Sequence, residues 1–345
     1  MMKTGFMVLF GVAVSLSGLV GGAEALKFRT PLVTDLYTAD PSAHVFEGKV
    51  YIYPSHDLDT NTPSSDDADQ FDMADYRVYS MANMVGAPVV DHGEVLHLKD
   101  VPWASKQLWA PDAAFRNGRY YLFFPARDKS NIFRIGVATS DKPSGPFKAE
   151  PKPLDGSFSI DPAVFIDDDN KAYLFLGGLW GGQLEKWRTG TFDPKGACPP
   201  ADQPALGPRV ARLSDDLLSL AGPAAEISIR DENGKPITSG DNKRRFFEGI
   251  WVHKFNKTYY LTYSTGDTHY LVWATSDKPE GPYTYRGKLL EPVRGWTTHH
   301  SIVQVEGKWY LFYHDNSLSK NDHKRCIKVI GFERTADGGL PLLTP

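Results

Sequence analysis

The sequence contains few cysteines and no excess of basic residues. Cys198 and Cys326 are the two cysteines among 345 residues, and their spacing matches neither a metal-binding motif nor a redox motif. In an exported chain they could form one disulfide, or both could remain free thiols. Lysine and arginine number 38 against 42 acidic residues, with no basic stripe, so nucleic acid is not an expected partner.

Long apolar runs are absent after residue 25. Before it, Lys3 precedes an apolar stretch from Phe6 to Val20 and a small-residue cleavage pattern at Ala23-Glu24-Ala25. This order is typical of a secretory signal peptide, and the stretch is shorter than the about 20 residues that a membrane-spanning helix needs. No cysteine follows the cleavage pattern, so a lipid anchor is not predicted. We expect residues 1–25 to be a signal peptide and residues 26–345 to form the fold. The protein is therefore expected to be exported, either periplasmic or extracellular, without a membrane partner.

A hairpin pattern recurs five times along the remaining chain. Each copy has a short strand, a tight turn with glycine or asparagine, and a second strand rich in aromatic residues. Small antiparallel units repeated roughly 50 to 85 residues apart are typical of β-propellers. The copies begin near Tyr37, Trp109, Ser159, Phe246 and His299.

The outer part of the repeat is also visible. Residues 135–147 read IGVATSDKPSGPF and residues 271–283 read LVWATSDKPEGPY, which we interpret as a third strand and a Gly/Pro turn to a fourth. The predicted fold is all-β, a five-bladed β-propeller with four antiparallel strands per blade in a single domain. Residues 189–243 contain many turn signals and are predicted to be a large insertion on the third blade, with a short helix around Leu213 to Leu220 as one interpretation.

Carboxylates occupy the entry to the first strand in four of the repeats. They are Asp40, Asp112, Asp161 and Glu248, and the fifth repeat has His299 at the corresponding place. Equivalent positions on the inner strands of a propeller converge near the central axis. Gathering carboxylates opposes stability, because they repel one another and lose hydration. We therefore expect a shared catalytic site, the alternative being that each acid caps its own turn.

These motifs resemble those of glycoside hydrolase family 43, five-bladed β-propeller β-xylosidases and α-L-arabinofuranosidases. The resemblance covers residues 30–330, and all five motifs occur in the family's order, although any one alone would be weak. They are ADPS at 39–42, WAPD at 109–112, SIDP at 159–162, FEG at 247–249 and HHS at 299–301.

The resemblance implies a role for each of three carboxylates. Asp40 matches the general base, Glu248 the general acid, and Asp161 the carboxylate that orients the acid and tunes its pKa. The family inverts the anomeric carbon, with a base-activated water on one face of the sugar and proton donation on the other. The pKa of Glu248 must then be raised, and we expect burial by Phe246 and Phe247 and the charge of an ionised Asp161 to raise it.

The resemblance also indicates residues that bind the substrate. Trp109 either gives an apolar face to the sugar or packs between blades, and Asp112 lies in the same motif. Arg325 either holds a sugar hydroxyl or is a surface charge. Further pocket candidates are Phe71, Trp251 and Trp296.

Calcium is the cofactor that the resemblance implies. His299 matches a central histidine that in many members holds a calcium ion in the axial channel with the help of water. Calcium prefers oxygen ligands, and this chain has Thr297-Thr298 where relatives usually have glycine before the histidine. The alternative is a histidine hydrogen-bonded to a pocket acid. The acidic loop at 54–75 is interpreted as solvated, with calcium binding or a place on the substrate rim as alternatives.

We expect an exo-acting, inverting glycoside hydrolase that releases xylose and/or arabinose from xylan or arabinoxylan oligosaccharides. The hairpin at 51–57 and the loop at 69–72 resemble the exo-acting branch of the family. Xylopyranose and arabinofuranose present similar hydroxyls, so dual activity is expected. An α-L-arabinofuranosidase or an endo-arabinanase is the alternative within the class, and a sugar-binding propeller without catalysis is the alternative outside it. The sequence leaves the oligomeric state open.

Overall fold

The computed structural model describes Met1, residues 27–28 and residues 30–345. The predicted signal peptide therefore lies outside the described residues, apart from Met1. Where the chain is described, it is almost entirely β-structure, with three single-turn 3₁₀-helices at Leu98–Asp100, Trp180–Gly182 and Leu184–Trp187. No helix in this described part is long and apolar enough to cross a membrane.

Five sheets form the blades of a propeller, as the repeats predict. Aromatic and β-branched residues fill these strands, which suits a pleated, half-buried surface. In chain order the strands are β1 (Lys27–Phe28), β2 (Tyr37–Phe46), β3 (Lys49–Asp57), β4 (Asp75–Met81), β5 (Val90–His97), β6 (Ala104–Lys106), β7 (Asp112–Arg116), β8 (Arg119–Asp128), β9 (Phe133–Ser140), β10 (Lys148–Ala149), β11 (Ala163–Ile166), β12 (Ala172–Leu176), β13 (Arg209–Arg212), β14 (Ala225–Glu226), β15 (Ile229–Arg230), β16 (Phe246–Phe255), β17 (Thr258–Thr265), β18 (Leu271–Ser276), β19 (Tyr283–Leu290), β20 (His300–Val305), β21 (Lys308–Asp315) and β22 (Cys326–Phe332).

The blades follow the order of the chain except at the ring closure. Blade one is β2–β5, blade two β6–β10, blade three β11–β14 and blade four β15–β19. Blade five takes β20–β22 from the C-terminal part and its outer strand, β1, from the N-terminal part. Lys27 pairs with Ile330 in this antiparallel contact. Backbone hydrogen bonds between the two ends of the chain thus close the ring.

The segment predicted as an insertion, 189–243, supplies strands to two blades. β13 pairs with β12, and β14 pairs with β13, so both complete blade three, whereas β15 pairs in parallel with β19 of blade four. The interpretation of Leu213 to Leu220 as a short helix is wrong, because these two residues form a β-bridge that closes a turn. The apolar spacing there reflects burial of a loop, with Leu217 in the core. Both cysteines are free thiols, and Cys326 is buried on β22.

The inner strands form a closed ring around the axis. β2 contacts β7 and β20, β11 contacts β7 and β16, and β16 contacts β20. Apolar side chains seal the interfaces between neighbouring blades, with fully buried examples in Leu122, Leu174, Leu261, Leu311 and Phe312. The entry residues of the inner strands are therefore held within reach of one another at the axis.

Candidate active site

A cavity of about 870 Å³ lies where the inner strands begin. Its lining includes the carboxyl-bearing residues Asp40, Asp161 and Glu248, which come from blades one, three and four. The structure thus brings together the three carboxylates that the repeats single out. Trp109, Phe71, Arg325, His299 and Trp296 line the same cavity.

An irregular strand directs Asp40 into the cavity. The pairing of β2 with β3 shifts register between Ala39 and Ser42, and Asp40 has a left-handed φ of 51°. A β-bulge of this kind re-aims a side chain, and a left-handed conformation is unfavourable for a residue other than glycine. The N–H of Asp40 donates to Nδ1 of His314 at 3.0 Å, which helps to hold this backbone.

The backbone also links the other two carboxylates. Asp161 has a φ of 55°, and Glu248 lies between two register shifts in β16. Gly249 has a φ of 68°, and its N–H donates to Oδ2 of Asp161 at 2.7 Å. The hydroxyl of Thr297 donates to Oε1 of Glu248. Hydrogen bonds from Gly249 and Thr297 thus hold Asp161 and Glu248 in place.

Arg325 keeps Asp40 ionised. Its Nη1 donates to Oδ1 of Asp40 at 3.1 Å and its Nη2 to Oδ2 at 3.2 Å, while the Ser55 hydroxyl donates to Oδ2 at 2.5 Å. Burial raises the pKa of Asp40, but nearby groups, first the Arg325 charge and last the hydrogen bond from Ser55, outweigh burial and lower the pKa to about 2. His314 is neutral, because burial and Arg325 lower its pKa to about 3.

Asp57 positions Arg325, and sequence reasoning missed it. Arg325 is 9% exposed, so the surface-charge interpretation is wrong. Its Nε and Nη2 donate to the two oxygens of Asp57 at 2.9 and 2.8 Å, and its backbone N–H donates to the same carboxyl at 2.8 Å. The guanidinium thus lies between two buried carboxylates. Asp57 ends β3 and is separated from Arg325 by 268 positions, so no spacing in the sequence indicates the pair.

Glu248 and Asp161 are two buried carboxyls that interact electrostatically. Burial raises the pKa of Glu248 to about 7, and the charge of Asp40 adds to the effect, whereas Thr297 and Arg325 oppose it. Burial, followed by repulsion from Glu248, raises the pKa of Asp161 well above its usual value. The pair therefore holds a proton at neutral pH. This differs from the expectation of a permanently ionised Asp161, because Asp161 is buried without a cation in direct contact.

Trp109 both lines the cavity and packs in the protein core. Its ring borders the cavity but is mostly buried, with the Phe133 ring at 4.7 Å. The indole N–H donates to the carbonyl oxygen of Phe71 at 2.9 Å. Phe71 itself lines the cavity, and Cζ of Arg325 lies 5.1 Å from the centre of its ring. The ring of Phe71 thereby contacts the guanidinium that is hydrogen-bonded to Asp40.

Asp112 and Trp251 do not line the cavity. Asp112 is 1% exposed, and its Oδ1 accepts from the Ser42 hydroxyl at 2.5 Å and from Nε2 of His44 at 2.7 Å. Its Oδ2 accepts from the N–H of Val164 at 2.5 Å, so Asp112 ties together blades one, two and three. The indole N–H of Trp251 donates to a carbonyl of β20 at 3.2 Å, which places the ring between blades four and five. Both residues stabilise the ring instead of contacting a sugar.

His299 lines the cavity without a strong protein partner. Its Nδ1 lies 3.9 Å from Oδ1 of Asp161, too far for a hydrogen bond. Burial lowers its pKa, so the imidazole is neutral and can ligate a metal. The described residues contain no cluster of three or more histidines, cysteines or acids that could hold a metal. A calcium ion would fit here only with water as most of its ligands.

Three rim segments complete the cavity, and the sequence pointed to only part of them. The acidic loop contributes Ser64 and Asp66, which are exposed, so the loop is solvated as predicted and also lies on the rim of the cavity. Trp180 comes from blade three and lies between two pairs of glycines in the sequence GGLWGG at 177–182, a signal for a close backbone turn that sequence reasoning did not use. The third segment, 320–323, carries no recognisable motif.

Comparisons with known proteins show which family this chain resembles. The model of glycosyl hydrolases family 43 matches residues 28–338. Xylosidase/arabinosidase 43A of Humicola insolens is 58% identical over 308 residues, covering 87% of this chain and 94% of that protein. A xylosidase/arabinosidase of Bacteroides ovatus is 51% identical, covering 89% of this chain and 95% of that protein.

Solved structures give the same result. A β-xylosidase/α-arabinofuranosidase from a compost microbial metagenome, in complex with xylotriose and in a calcium-free form, is similar with a TM-score of 0.90. It is 59% identical and covers 93% of this chain and 99% of its own. An enzyme from Xanthomonas citri complexed with xylotriose has a TM-score of 0.88 at 55% identity, covering 92% of this chain and 94% of its own. The chain belongs to glycosyl hydrolases family 43.

Proposed function

We propose that the protein is an exo-acting, inverting glycosidase that releases xylose, and also arabinose, from xylan or arabinoxylan oligosaccharides. The observation that carries the proposal is a single cavity in which one carboxyl has a lowered pKa and another a raised pKa. Environments that shift the pKa values of two carboxyls in opposite directions suit a general base and a general acid. The names of the relatives, xylosidase/arabinosidase, support the substrate class.

Asp40 is the general base in this mechanism. It is ionised throughout the neutral range, and its oxygens face the cavity beside Arg325. A water hydrogen-bonded to Asp40 attacks the anomeric carbon, and Asp40 accepts the proton that the water loses. The new C–O bond forms on the face of the sugar opposite the breaking glycosidic bond, so the configuration inverts.

Glu248 is the general acid. Because the Thr297 hydroxyl donates to Oε1, the acidic proton belongs on Oε2, from which it passes to the glycosidic oxygen as that bond breaks. The same hydroxyl then stabilises the carboxylate that forms. Asp161 acts as a positioning residue, because its Oδ2 accepts from the N–H of Gly249 and so fixes the backbone next to the acid. Solvent returns the proton from Asp40 to Glu248 between turnovers.

The shape of the cavity favours action on a chain end. Rim segments from blades one, three and five surround it, whereas an endo-acting arabinanase needs a groove that runs through. An α-L-arabinofuranosidase without xylosidase activity remains the alternative within the class.

A substrate panel tests this function. Wild type should hydrolyse p-nitrophenyl β-xyloside, xylobiose and p-nitrophenyl α-L-arabinofuranoside, and Glu248→Gln should lose at least about a hundredfold in kcat on xylobiose. Glu306→Gln, the same change in an exposed turn, is the matched control and should leave all rates unchanged. Binding of xylobiose without hydrolysis by wild type would instead identify a sugar-binding propeller.

We also propose calcium as an accessory ion held by His299 and water. A similar solved structure is described as a calcium-free form, which supports testing this protein for bound calcium. A bound ion would supply positive charge near the axis, and no step of the reaction is assigned to it. Chelator treatment followed by calcium should lower and restore the melting temperature or the activity, and no response in wild type would reject the ion.

Export is a further proposal, based on the pattern in residues 1–25. Expression of the full chain in a secreting host should give a mature N-terminus after Ala25. An uncleaved N-terminus on the recovered protein would contradict it.

A further inference from the structure

A fully buried arginine lies close to the cavity and takes no part in the mechanism. Arg127, on β8 of blade two, is 0% exposed and does not line the cavity. The carboxylate of Asp67, 3.5 Å from its Nη1, is partly exposed, and such a partner contributes little to stability. Burying a guanidinium is unfavourable unless its N–H groups are hydrogen-bonded, so the partners of Arg127 indicate its role.

The guanidinium donates to backbone carbonyls of two rim segments. Its Nη2 donates to the carbonyl oxygen of Asp67 at 2.8 Å and to that of Gly181 at 3.4 Å. Its Nη1 donates to the carbonyl oxygen of Asn131 at 3.1 Å, and its Nε to Oε1 of Gln107 at 2.6 Å. Asp67 belongs to the acidic loop of blade one, and Gly181 to the glycine-rich turn of blade three, residues 177–182. Arg127 therefore joins these two segments.

Two buried glutamines extend this link. Nε2 of Gln107 donates to the carbonyl oxygen of Ala68, in the acidic loop, at 3.0 Å. Gln183 directly follows the glycine-rich turn, and its Nε2 donates at 2.9 Å to the same carbonyl of Asn131 that accepts from Arg127. Both glutamines are 2% exposed. The buried polar cluster around Arg127 thus directs its hydrogen bonds to the backbone of the rim.

Blade two itself contributes little to the wall of the cavity. Of its residues, all of which the structure describes, only Trp109 and Ala110 line the cavity. The neighbouring wall is formed where the two joined segments meet, since a Cβ atom at Gly181 would lie 3.3 Å from Ala68 and 3.5 Å from the Trp109 ring. On the side of the cavity that blade two faces, the wall therefore depends on segments that Arg127 holds together.

We propose that Arg127 is a positioning residue that holds the acidic loop and the glycine-rich turn together and so determines how tightly the oligosaccharide binds. The inference rests on the proposed function and adds a residue that contacts neither the sugar nor the carboxylates. Asp40, Asp161 and Glu248 are held by other donors, so loss of Arg127 should leave the chemical step intact. A contact made equally in the bound substrate and in the transition state changes KM and not kcat.

The test is the steady-state kinetics of Arg127→Ala on xylobiose. KM should rise about tenfold, whereas kcat should change less than about twofold and the limbs of its pH dependence should stay in place. Free guanidinium at low millimolar concentration should lower the raised KM, because the cation can occupy the vacated space and donate to the same carbonyls. The same addition should leave the KM of wild type unchanged.

Two further variants complete the test. Arg127→Lys keeps the charge but lacks the planar fork that reaches both segments, so its KM should lie between those of wild type and Arg127→Ala. Arg116→Ala is the matched control: Arg116 is 7% exposed, donates to the carbonyl oxygen of Asn170 at 2.9 Å and does not line the cavity. This variant also loses a buried arginine, but its KM should equal that of wild type.

Each outcome decides the role of Arg127. An unchanged KM in both Arg127 variants would overturn the proposal, and so would an equal rise of KM in Arg116→Ala, which would indicate general destabilisation. A fall in kcat at constant KM would mean that Arg127 supports the carboxylates instead of the rim. If Arg127→Ala does not fold, Arg127→Lys decides by the same criteria. Failure of the proposed function is separate, because wild type would then not hydrolyse xylobiose.

Discussion

Replacing Arg325 with methionine should raise the pKa of Asp40 and move the acid limb of activity to higher pH. In the wild type, burial raises this pKa, and the surrounding groups more than offset burial, with the guanidinium at 3.1 and 3.2 Å as the largest lowering contribution. Methionine fills much of the same volume but leaves the buried carboxylate without its counter-charge.

The structure sets the size of this effect. The pKa of Asp40 is about 2 against a usual 3.8, and at 1.36 kcal/mol per pKa unit this favours the ionised form by about 2.4 kcal/mol. Because burial works in the opposite direction, Arg325 and the other groups that lower this pKa together contribute more than that difference. Without it, the pKa of Asp40 should rise above about 4. The ionised base would then disappear as the pH falls through that range.

The assay is the pH dependence of kcat/KM on p-nitrophenyl β-xyloside. Wild type should keep its activity to the lowest pH at which it stays folded, and Arg325→Met should lose activity on the acid side of about pH 4 to 5. Arg325→Lys keeps the charge and should lie between them. Adding Asp57→Asn to Arg325→Met removes the second orphaned carboxylate and controls for misfolding. If the acid limb of both Arg325→Met proteins coincides with that of wild type, Arg325 does not hold the base ionised.

Three further predictions concern the acid and the fold. Asp161→Asn weakens the acceptor that fixes the N–H of Gly249, so the rate should fall, but the basic limb near pH 7 should stay in place because burial and Asp40 raise the pKa of Glu248; a limb that moves to lower pH would show that the charge of Asp161 also raises that pKa. Glu248→Gln should raise the melting temperature at pH 8 but hardly at pH 4.5. The pKa of Glu248 is raised to about 7 in the folded protein, so its ionisation above that pH destabilises the folded state by on the order of 3 kcal/mol, and glutamine avoids this cost. Equal changes of the melting temperature at both pH values would refute this. Arg334→Lys should lower the free energy of unfolding by about 1–3 kcal/mol with KM unchanged, because the guanidinium lies 4.2 Å from the ring of Trp309 and 4.4 Å from that of Tyr260. Urea titration measures the free energy of unfolding, and an unchanged value would contradict a stabilising role for these cation–π contacts.

The sequence predicts the inner hairpins well because they are local. A strand, a glycine or asparagine turn and an aromatic strand lie next to each other in the chain, and five copies indicate the propeller. The entry positions of Asp40, Asp161 and Glu248 follow from the same repeat. β13 and β14 were missed because long turn-rich connections hide short strands, and the two-residue β1 has no pattern at all.

Contacts between distant parts of the chain explain the other misses. Asp57 and Arg325 meet only because blade one and blade five are neighbours after the ring closes. Asp112 satisfies the repeat pattern as well as Asp161 does, but its oxygens are occupied by donors from blades one and three. Repeat position therefore predicts where a side chain lies along the strand, whereas its surroundings decide whether it faces the cavity or the scaffold.

The stereochemistry of the first product tests the central claim most directly. Proton NMR of p-nitrophenyl β-xyloside hydrolysis, recorded before mutarotation, should show α-xylose first, since water activated by Asp40 attacks opposite the bond that Glu248 protonates. Initial formation of β-xylose would require a covalent intermediate on one of the carboxylates and would contradict the assignment of base and acid.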